Sequence, residues 1–188
     1  LKKAGVEYVI FDGAEENPKI RDIKKGKQIY LDEGCDSIIT VGGGSAHDCG
    51  KGIGIILTNG DDITKLAGIE TLDKPLPPLM AVNTTAGTGS ELTRHAVITN
   101  EDTHLKFVVV SWRNIPLVSF NDPMLMLDIP QATTAATGLD AYVQAVEPFV
   151  SVDHNDITDS QCEKAIQIIQ QYLPEAVANG HNVEARTK

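Results

Sequence analysis

Residues 37–52, SIITVGGGSAHDCGKG, read as a strand, a sharp turn and the start of a helix. The run 37–41 is short, apolar and β-branched, the composition of a strand buried in a parallel sheet. Gly42, Gly43 and Gly44 let the chain reverse and leave bare backbone for a ligand to approach. Residues 46–60 then continue as a glycine-loosened helix. A helix that starts directly after such a turn presents unpaired N–H groups and the positive end of its dipole, which suits a pyrophosphate. The same geometry also serves as a βα turn with no ligand. The pattern is not G-x-G-x-x-G, and Lys51 is not followed by the Ser or Thr of a P-loop, which argues against phosphoryl transfer.

A second stretch repeats the chemistry. Residues 79–95, LMAVNTTAGTGSELTRH, leave a buried strand (79–83) and enter a turn rich in hydroxyls and glycine. Thr84, Thr85, Thr88 and Ser90 offer hydroxyls there, and Gly87 and Gly89 offer bare backbone. Two such loops at the carboxyl ends of strands can flank one crevice, where open α/β sheets bind ligands. The plain alternative is that the hydroxyls cap helices and close turns. Two loops of this kind favour nucleotide binding.

Around these loops the chain alternates. EYVIFD (7–12) reads as a strand, and 17–34 as a helix with Asn17 as cap, Pro18 at its first position and Gly34 just past its end. Ile20, Ile23, Lys27, Tyr30 and Leu31 trace one face of that helix. LKFVVVSW (105–112) and LVSFND (117–122) read as further strands. The segment PMLMLDIP (123–130) reads as a linker. Helices are expected at about 131–150, with a possible break at Gly138, and from Thr158 to Gly180, with a kink at Pro174. The apolar face of the latter carries Cys162, Ile166, Ile169 and Leu173. The expected fold is an α/β domain with a parallel, Rossmann-like sheet and helices on both faces, followed by the start of an all-α domain. The division is placed at 1–124 and 125–188.

Composition agrees with a folded chain of 188 residues, 41% apolar and 22% charged. The net charge of -10 argues against nucleic acid and anionic membranes as partners. Apolar runs such as IGIIL are too short to span a bilayer. The three cysteines, Cys35, Cys49 and Cys162, form no C-x-x-C pair, so a reduced, cytoplasmic setting is expected. The chain opens on Leu1 without a secretory pattern and is expected to be a fragment cut at both ends. A sheet and a helical domain left incomplete are expected to expose apolar surface and make the isolated 188 residues poorly soluble or partly folded.

In TGLDAYVQAVE (137–147), Asp140, Gln144 and Glu147 share one helical face. Such a face is either a solvated edge or half of a metal site.

The segments VGGGSAHDCGKGIGI, LAGIETL, PLPPLMAVNTTAGTGSELTRHAVIT, KFVVVSW and TGLDAYVQAVEPFVS resemble the iron-containing (group III) alcohol dehydrogenases, of the lactaldehyde:propanediol oxidoreductase, 1,3-propanediol dehydrogenase and methanol dehydrogenase type. The resemblance runs from Leu1 to Lys188 and covers the middle of a family member. It implies a dehydroquinate synthase-like architecture, with an active site between a nucleotide domain and a helical one. It implies oxidation of small primary alcohols or diols, or reduction of the aldehydes, with NAD or NADP, in a protein that forms a dimer or larger homo-oligomer. By the same resemblance Gly42, Gly43, Gly44 and Ser45 would hold the pyrophosphate, and Asp48 would lie beside the nicotinamide. Thr84, Thr85 and Thr88 would line the opposite wall, and Lys106 would reach a ribose. Asn83 receives no role. On residue type alone Asp48 is a helix N-terminal acid and Lys106 a solvated strand charge. His47 is expected to be an exposed loop residue, His95 and His104 structural or exposed, and Trp112 part of the core.

The resemblance also implies a divalent metal, Fe2+ or Zn2+, with Asp140 as the first ligand and a histidine one turn later. Gln144 stands at that histidine position here, a neutral oxygen donor weaker than imidazole. Two further histidines would come from helices beyond Lys188. A weakened or altered metal site is therefore expected, with Glu147 structural and no catalytic side chain assigned. The alternatives are a metal-free relative of the same fold, of the maleylacetate-reductase kind, and a non-catalytic nucleotide-binding remnant.

Overall fold

The structure is a computed structural model that describes residues 1–188. Its chain falls into two compact units, 1–82 with 90–120, and 83–89 with 121–188.

In the first unit, helix α1 (Ile20–Asp32) precedes strand β1 (Ile38–Gly42), helix α2 (Gly44–Thr58), the two-residue strand β2 (Gly68–Ile69) and strand β3 (Leu79–Asn83). Strands β4 (His95–Asn100), β5 (Leu105–Val110) and β6 (Val118–Asn121) follow. The strands form two sheets of three, ordered β1-β3-β6 and β2-β5-β4. The class is the expected Rossmann-like α/β arrangement followed by a helical region. One element departs from the all-parallel expectation. β4 pairs antiparallel with β5 from His95↔Val110 to Asn100↔Leu105, while β2 pairs parallel with β5. A hairpin therefore sits inside the α/β order, closed by residues 101–104, where His104 takes a left-handed φ of 57°.

Buried Ile23, Ile53, Ile55, Ile56, Ile98 and Val109 form the core of this unit. The two helices that cover it cross closely because each offers the other a glycine. A Cβ on Gly26 of α1 would lie 2.2 Å from Ile53 Cδ1, and one on Gly52 of α2 would lie 2.5 Å from Ile23 Cδ1. The start of α1 is held by carboxylates rather than by Asn17. Glu101 accepts from the N–H groups of Ile20 and Arg21, and Asp22 accepts from that of Lys19. The helix thus begins two residues later than expected, and Asn17 takes a left-handed φ of 55° outside it. Gly34, at φ 64°, does follow its end.

Three expectations fail here. Residues 7–12 form no strand, because extended backbone needs a ladder partner and this run has none. Strand β1 is half-exposed, with Val41 65% accessible, because it lies at an edge of its sheet. Leu31 points to solvent, since the packed face of α1 runs through Asp22, Ile23 and Gly26.

In the second unit a 3-10 turn (Pro123–Met126) leads into α3 (Gln131–Phe149), α4 (Asp156–Ala178) and α5 (Val183–Thr187). Asn155 and Asn182 cap the last two through their side-chain oxygens. Helix α3 runs unbroken through Gly138. That glycine is buried because a Cβ there would lie 2.3 Å from Leu173 Cδ1 of α4. Helix α4 likewise continues past Pro174. All three cysteines are free. No helix is long and apolar enough to cross a membrane.

Candidate functional site

The glycine turn joins β1 directly to α2. Gly42 ends the strand with φ 149°, and a Cβ there would lie 2.7 Å from the Cβ of Ala46. Gly43 is the N-cap, and Gly44 and Ser45 occupy the first turn. The carbonyl of Gly43 accepts from the N–H groups of Ala46 and His47. The N–H groups ahead of those two belong to the orphan set that every helix start presents. This cradle presents backbone N–H donors, lies at the positive end of a helix dipole and is free of Cβ at its tightest point, chemistry that fits a dinucleotide phosphate.

Two side chains border the turn. The Asn17 N–H donates to Ser45 Oγ at 3.2 Å, and its Oδ1 accepts from Lys106 Nζ at 2.6 Å. Lys106 therefore stands on β5 within one residue of the glycine turn, a link its sequence position did not disclose. Asn17, read from sequence only as a helix cap, joins the two.

Asp48, one turn further along α2, faces inward. Its Oδ1 accepts from Ser90 Oγ at 2.6 Å and its Oδ2 from the N–H of Val97 at 3.2 Å. Burial pushes its carboxyl up, against the opposing pull of Ser90, Lys51 and Val97. His47 is buried rather than exposed, its Nδ1 2.8 Å from Thr40 Oγ1, because it is part of α2 and faces β1. His95 and His104 are exposed. Trp112 is not core: it is 66% accessible and stacked under the Arg94 guanidinium, 4.7 Å away.

Sequence reasoning missed Lys51. Its side chain is wholly buried, and its Nζ donates to the carbonyls of Ser90 (2.6 Å), Thr93 (2.9 Å) and His95 (2.8 Å) and to Ser90 Oγ (3.1 Å). The signal was there: Lys51 is the one charged residue between Cys49 and Thr58, in a helix apolar on every side. Burial pushes its ammonium down to about 8, against the favourable pull of Asp48 and Glu91. A lowered lysine value means the folded chain releases this proton before the unfolded chain does. Its cost to stability is complete below about pH 8 and is relieved between there and the ordinary value of 10.5. The unfolding free energy of the wild type, minus that of Lys51→Met, is expected to grow by about 2–3 kcal/mol across that window. Urea unfolding at stepped pH measures it, and a flat difference rules it out.

In the second unit, Asn83 shapes the hydroxyl-rich loop. Its Oδ1 accepts from Thr85 N at 3.2 Å, and its Nδ2 donates to Thr85 O at 2.7 Å and to Asn121 Oδ1 at 3.0 Å. Thr84 and Thr85 are half-buried and Thr88 is exposed. Gly87 lies against α3, where a Cβ would come within 3.1 Å of the Thr137 carbonyl.

Asp140 and Gln144 are both exposed, one turn apart on α3, and Gln144 Nε2 donates to Asp140 Oδ2 at 3.3 Å. No group of three or more His, Cys, Asp or Glu in this chain is placed to hold a metal ion. One carboxylate and an amide turned toward it do not by themselves fit a transition metal, which takes three or more protein ligands.

Comparison with known proteins identifies the arrangement. Residues 1–123 match the family model described as iron-containing alcohol dehydrogenase, and 134–188 match its C-terminal counterpart. The chain is 56% identical over 186 residues to the 1,3-propanediol dehydrogenase of Klebsiella pneumoniae, covering 99% of this chain and 48% of that protein. It is similar to the solved alcohol dehydrogenase from Oenococcus oeni, at 77% identity and a TM-score of 0.95, over 99% of this chain and 49% of the other. It is also similar to the sulfoacetaldehyde reductase from Bifidobacterium kashiwanohense in complex with NAD+, at 37% identity and a TM-score of 0.86, over 95% and 48% of the two chains. The chain thus spans about half the length of the relatives it matches. With a Rossmann-like unit, a glycine cradle and a helical unit matched in order, it belongs to the iron-containing alcohol dehydrogenase family.

Proposed function

We propose that this chain is part of an NAD(P)-dependent alcohol dehydrogenase acting on small primary alcohols or diols, or on the corresponding aldehydes. The observation that carries the reading is the Gly42–Ser45 cradle at the head of α2 in a chain of this family. Residues 1–124 would serve as the nucleotide-binding domain and 125–188 as the start of the helical one. Gly42, Gly43, Gly44 and Ser45 would receive the pyrophosphate, with Lys106 at a ribose and Asp48 toward the nicotinamide. Thr84, Thr85 and Thr88 would add hydroxyl donors from their loop. When bound, the nicotinamide supplies the hydride acceptor or donor. The protein's share is to fix that ring: α2 orients the phosphates by its dipole, Asn17 holds Ser45 and Lys106, and Ser90 and Val97 hold the Asp48 carboxylate. The complete protein is proposed to be a cytoplasmic homo-oligomer with no nucleic-acid or membrane partner.

Asp140 is proposed as one ligand of a divalent metal, Fe2+ or Zn2+, in the complete protein, and Gln144 as a poor second. Replacing Gln144 by His in that protein is expected to raise its iron or zinc content at least severalfold after equilibration, since imidazole binds such metals better than a carboxamide. Metal analysis by mass spectrometry reads the result, and equal content in both proteins would remove Gln144 from the ligand set. The amide bonded to Asp140 favours a second reading, a metal-free reductase on the same fold. Full activity of the chelated enzyme would select it. Titration of the complete protein with NADH and with NADPH tests the dinucleotide reading itself, which saturable binding of either supports and the absence of both ends.

A further inference from the structure

Lys51 is wholly buried, yet its partners are neutral oxygens: three carbonyls and a hydroxyl of the segment 90–95. Burying an ammonium costs several kcal/mol, and an apolar side chain of the same volume would pack the core without that cost. The ammonium does something an apolar chain cannot: it draws three carbonyls of one segment to a single point. It also sets the direction of a proton. An ammonium only donates, so Ser90 Oγ must accept from Lys51 and give its own proton to Asp48. Asp48 lies three residues before Lys51 on α2, and its other oxygen is held by Val97 N. One carboxylate oxygen of Asp48 is thereby fixed by the segment that Lys51 holds, and the other by Val97, two residues beyond the last carbonyl that Lys51 reaches.

We infer that Lys51 is a positioning residue for the dinucleotide site, acting through Ser90 to orient the Asp48 carboxylate. The inference rests on the reading above that Asp48 belongs to that site. Lys51 is wholly buried and all its hydrogen bonds go to the 90–95 segment, so its effect passes through that segment.

The complete protein tests this with Lys51→Met, Ser90→Ala, Asp48→Ala and the double variants of Asp48→Ala with each of the first two. NADH affinity is read by fluorescence titration, KM and kcat by steady-state kinetics, and folding by thermal melts. Lys51→Met is expected to weaken NADH binding about tenfold and raise KM for NAD+ while kcat stays within about twofold, the pattern of lost uniform binding. Adding Lys51→Met to Asp48→Ala is expected to cost nothing further, because Lys51 acts through Asp48. Losses that add independently, or wild-type affinity in a folded Lys51→Met protein, overturn the inference. If Lys51→Met does not fold, Ser90→Ala severs the same relay and decides alone: weakened binding that is not additive with Asp48→Ala supports it, and wild-type binding overturns it. Wild-type protein that binds neither NADH nor NADPH refutes instead the cofactor reading, and an Asp48→Ala variant that binds normally removes Asp48 from the site on which the inference stands.

Discussion

A Gly42→Val variant of the complete protein is expected to bind NADH about a hundredfold more weakly than the wild type, equivalent to about 2.7 kcal/mol. Two independent costs converge on that residue. Its φ of 149° lies where L-residues other than glycine are strained by about 1–3 kcal/mol. Its added Cβ would also stand 2.7 Å from the Cβ of Ala46, an atom with no rotamer to escape into. The turn can relieve both only by lifting away from the head of α2, and that movement takes the first N–H groups of the helix out of line with a phosphate. The strand before and the helix after have their own packing, so the melt is expected to shift far less than the affinity. Titration of NADH beside a thermal melt separates the two effects. Binding within about threefold of wild type, a difference of roughly 0.7 kcal/mol, would show that the cradle does not hold the cofactor.

Gly52→Leu is expected to destabilise the first unit by about 3 kcal/mol, at the upper end of the usual cost of overpacking a core. The obstacle is Ile23, wholly buried, with its Cδ1 2.5 Å and Cγ1 2.9 Å from where a Cβ would stand. Gly26 faces Ile53 in the same way from the other helix, so α1 cannot slide to make room on one side without closing the other. Urea unfolding measures the loss. Ile23→Ala opens the space that the leucine needs, so the pair is expected to recover part of the stability lost by Gly52→Leu alone, a coupling that unrelated sites do not show. A Gly52→Leu midpoint equal to wild type would mean that the helices are not locked at this crossing.

Much of the fold was readable because local chemistry and tertiary role agree. In the run from Ile38 to Thr58 the apolar strand, the glycine turn and the helix start each carry their own signal, and α2 and β3 fall where expected. The strand β4 was not read, because His95–Asn100 alternates only weakly and follows a polar run, and its identity depends on β5, encountered later in the chain. The run 7–12 shows the converse: β propensity without a partner gives no strand. Within the proposed site, the glycines and Asp48 could be named from motif and resemblance, whereas Asn17 could not. Its contribution comes from being brought beside Ser45 and Lys106, which lie 28 and 89 residues away. Trp112 and His47 were misplaced in opposite directions, since a residue's type sets only its preference for burial and the register of its element decides the outcome.

The first unit is not one stretch of chain. It is left after Val82, regained at Ser90 and left again after Phe120. A chimera joined at a single point near residue 120 would therefore carry the 83–89 loop of one parent with the helices of the other, although that loop clusters with the helices. A faithful exchange between relatives needs three junctions. For the same reason, a ribosome cannot release a finished first unit early, because the hairpin β4–β5 that lines its core is made after the detour. One protease cut between Phe120 and Asn121 leaves residues 83–89 covalently attached to the first unit, and the fragments should stay together on a sizing column until denaturant is added.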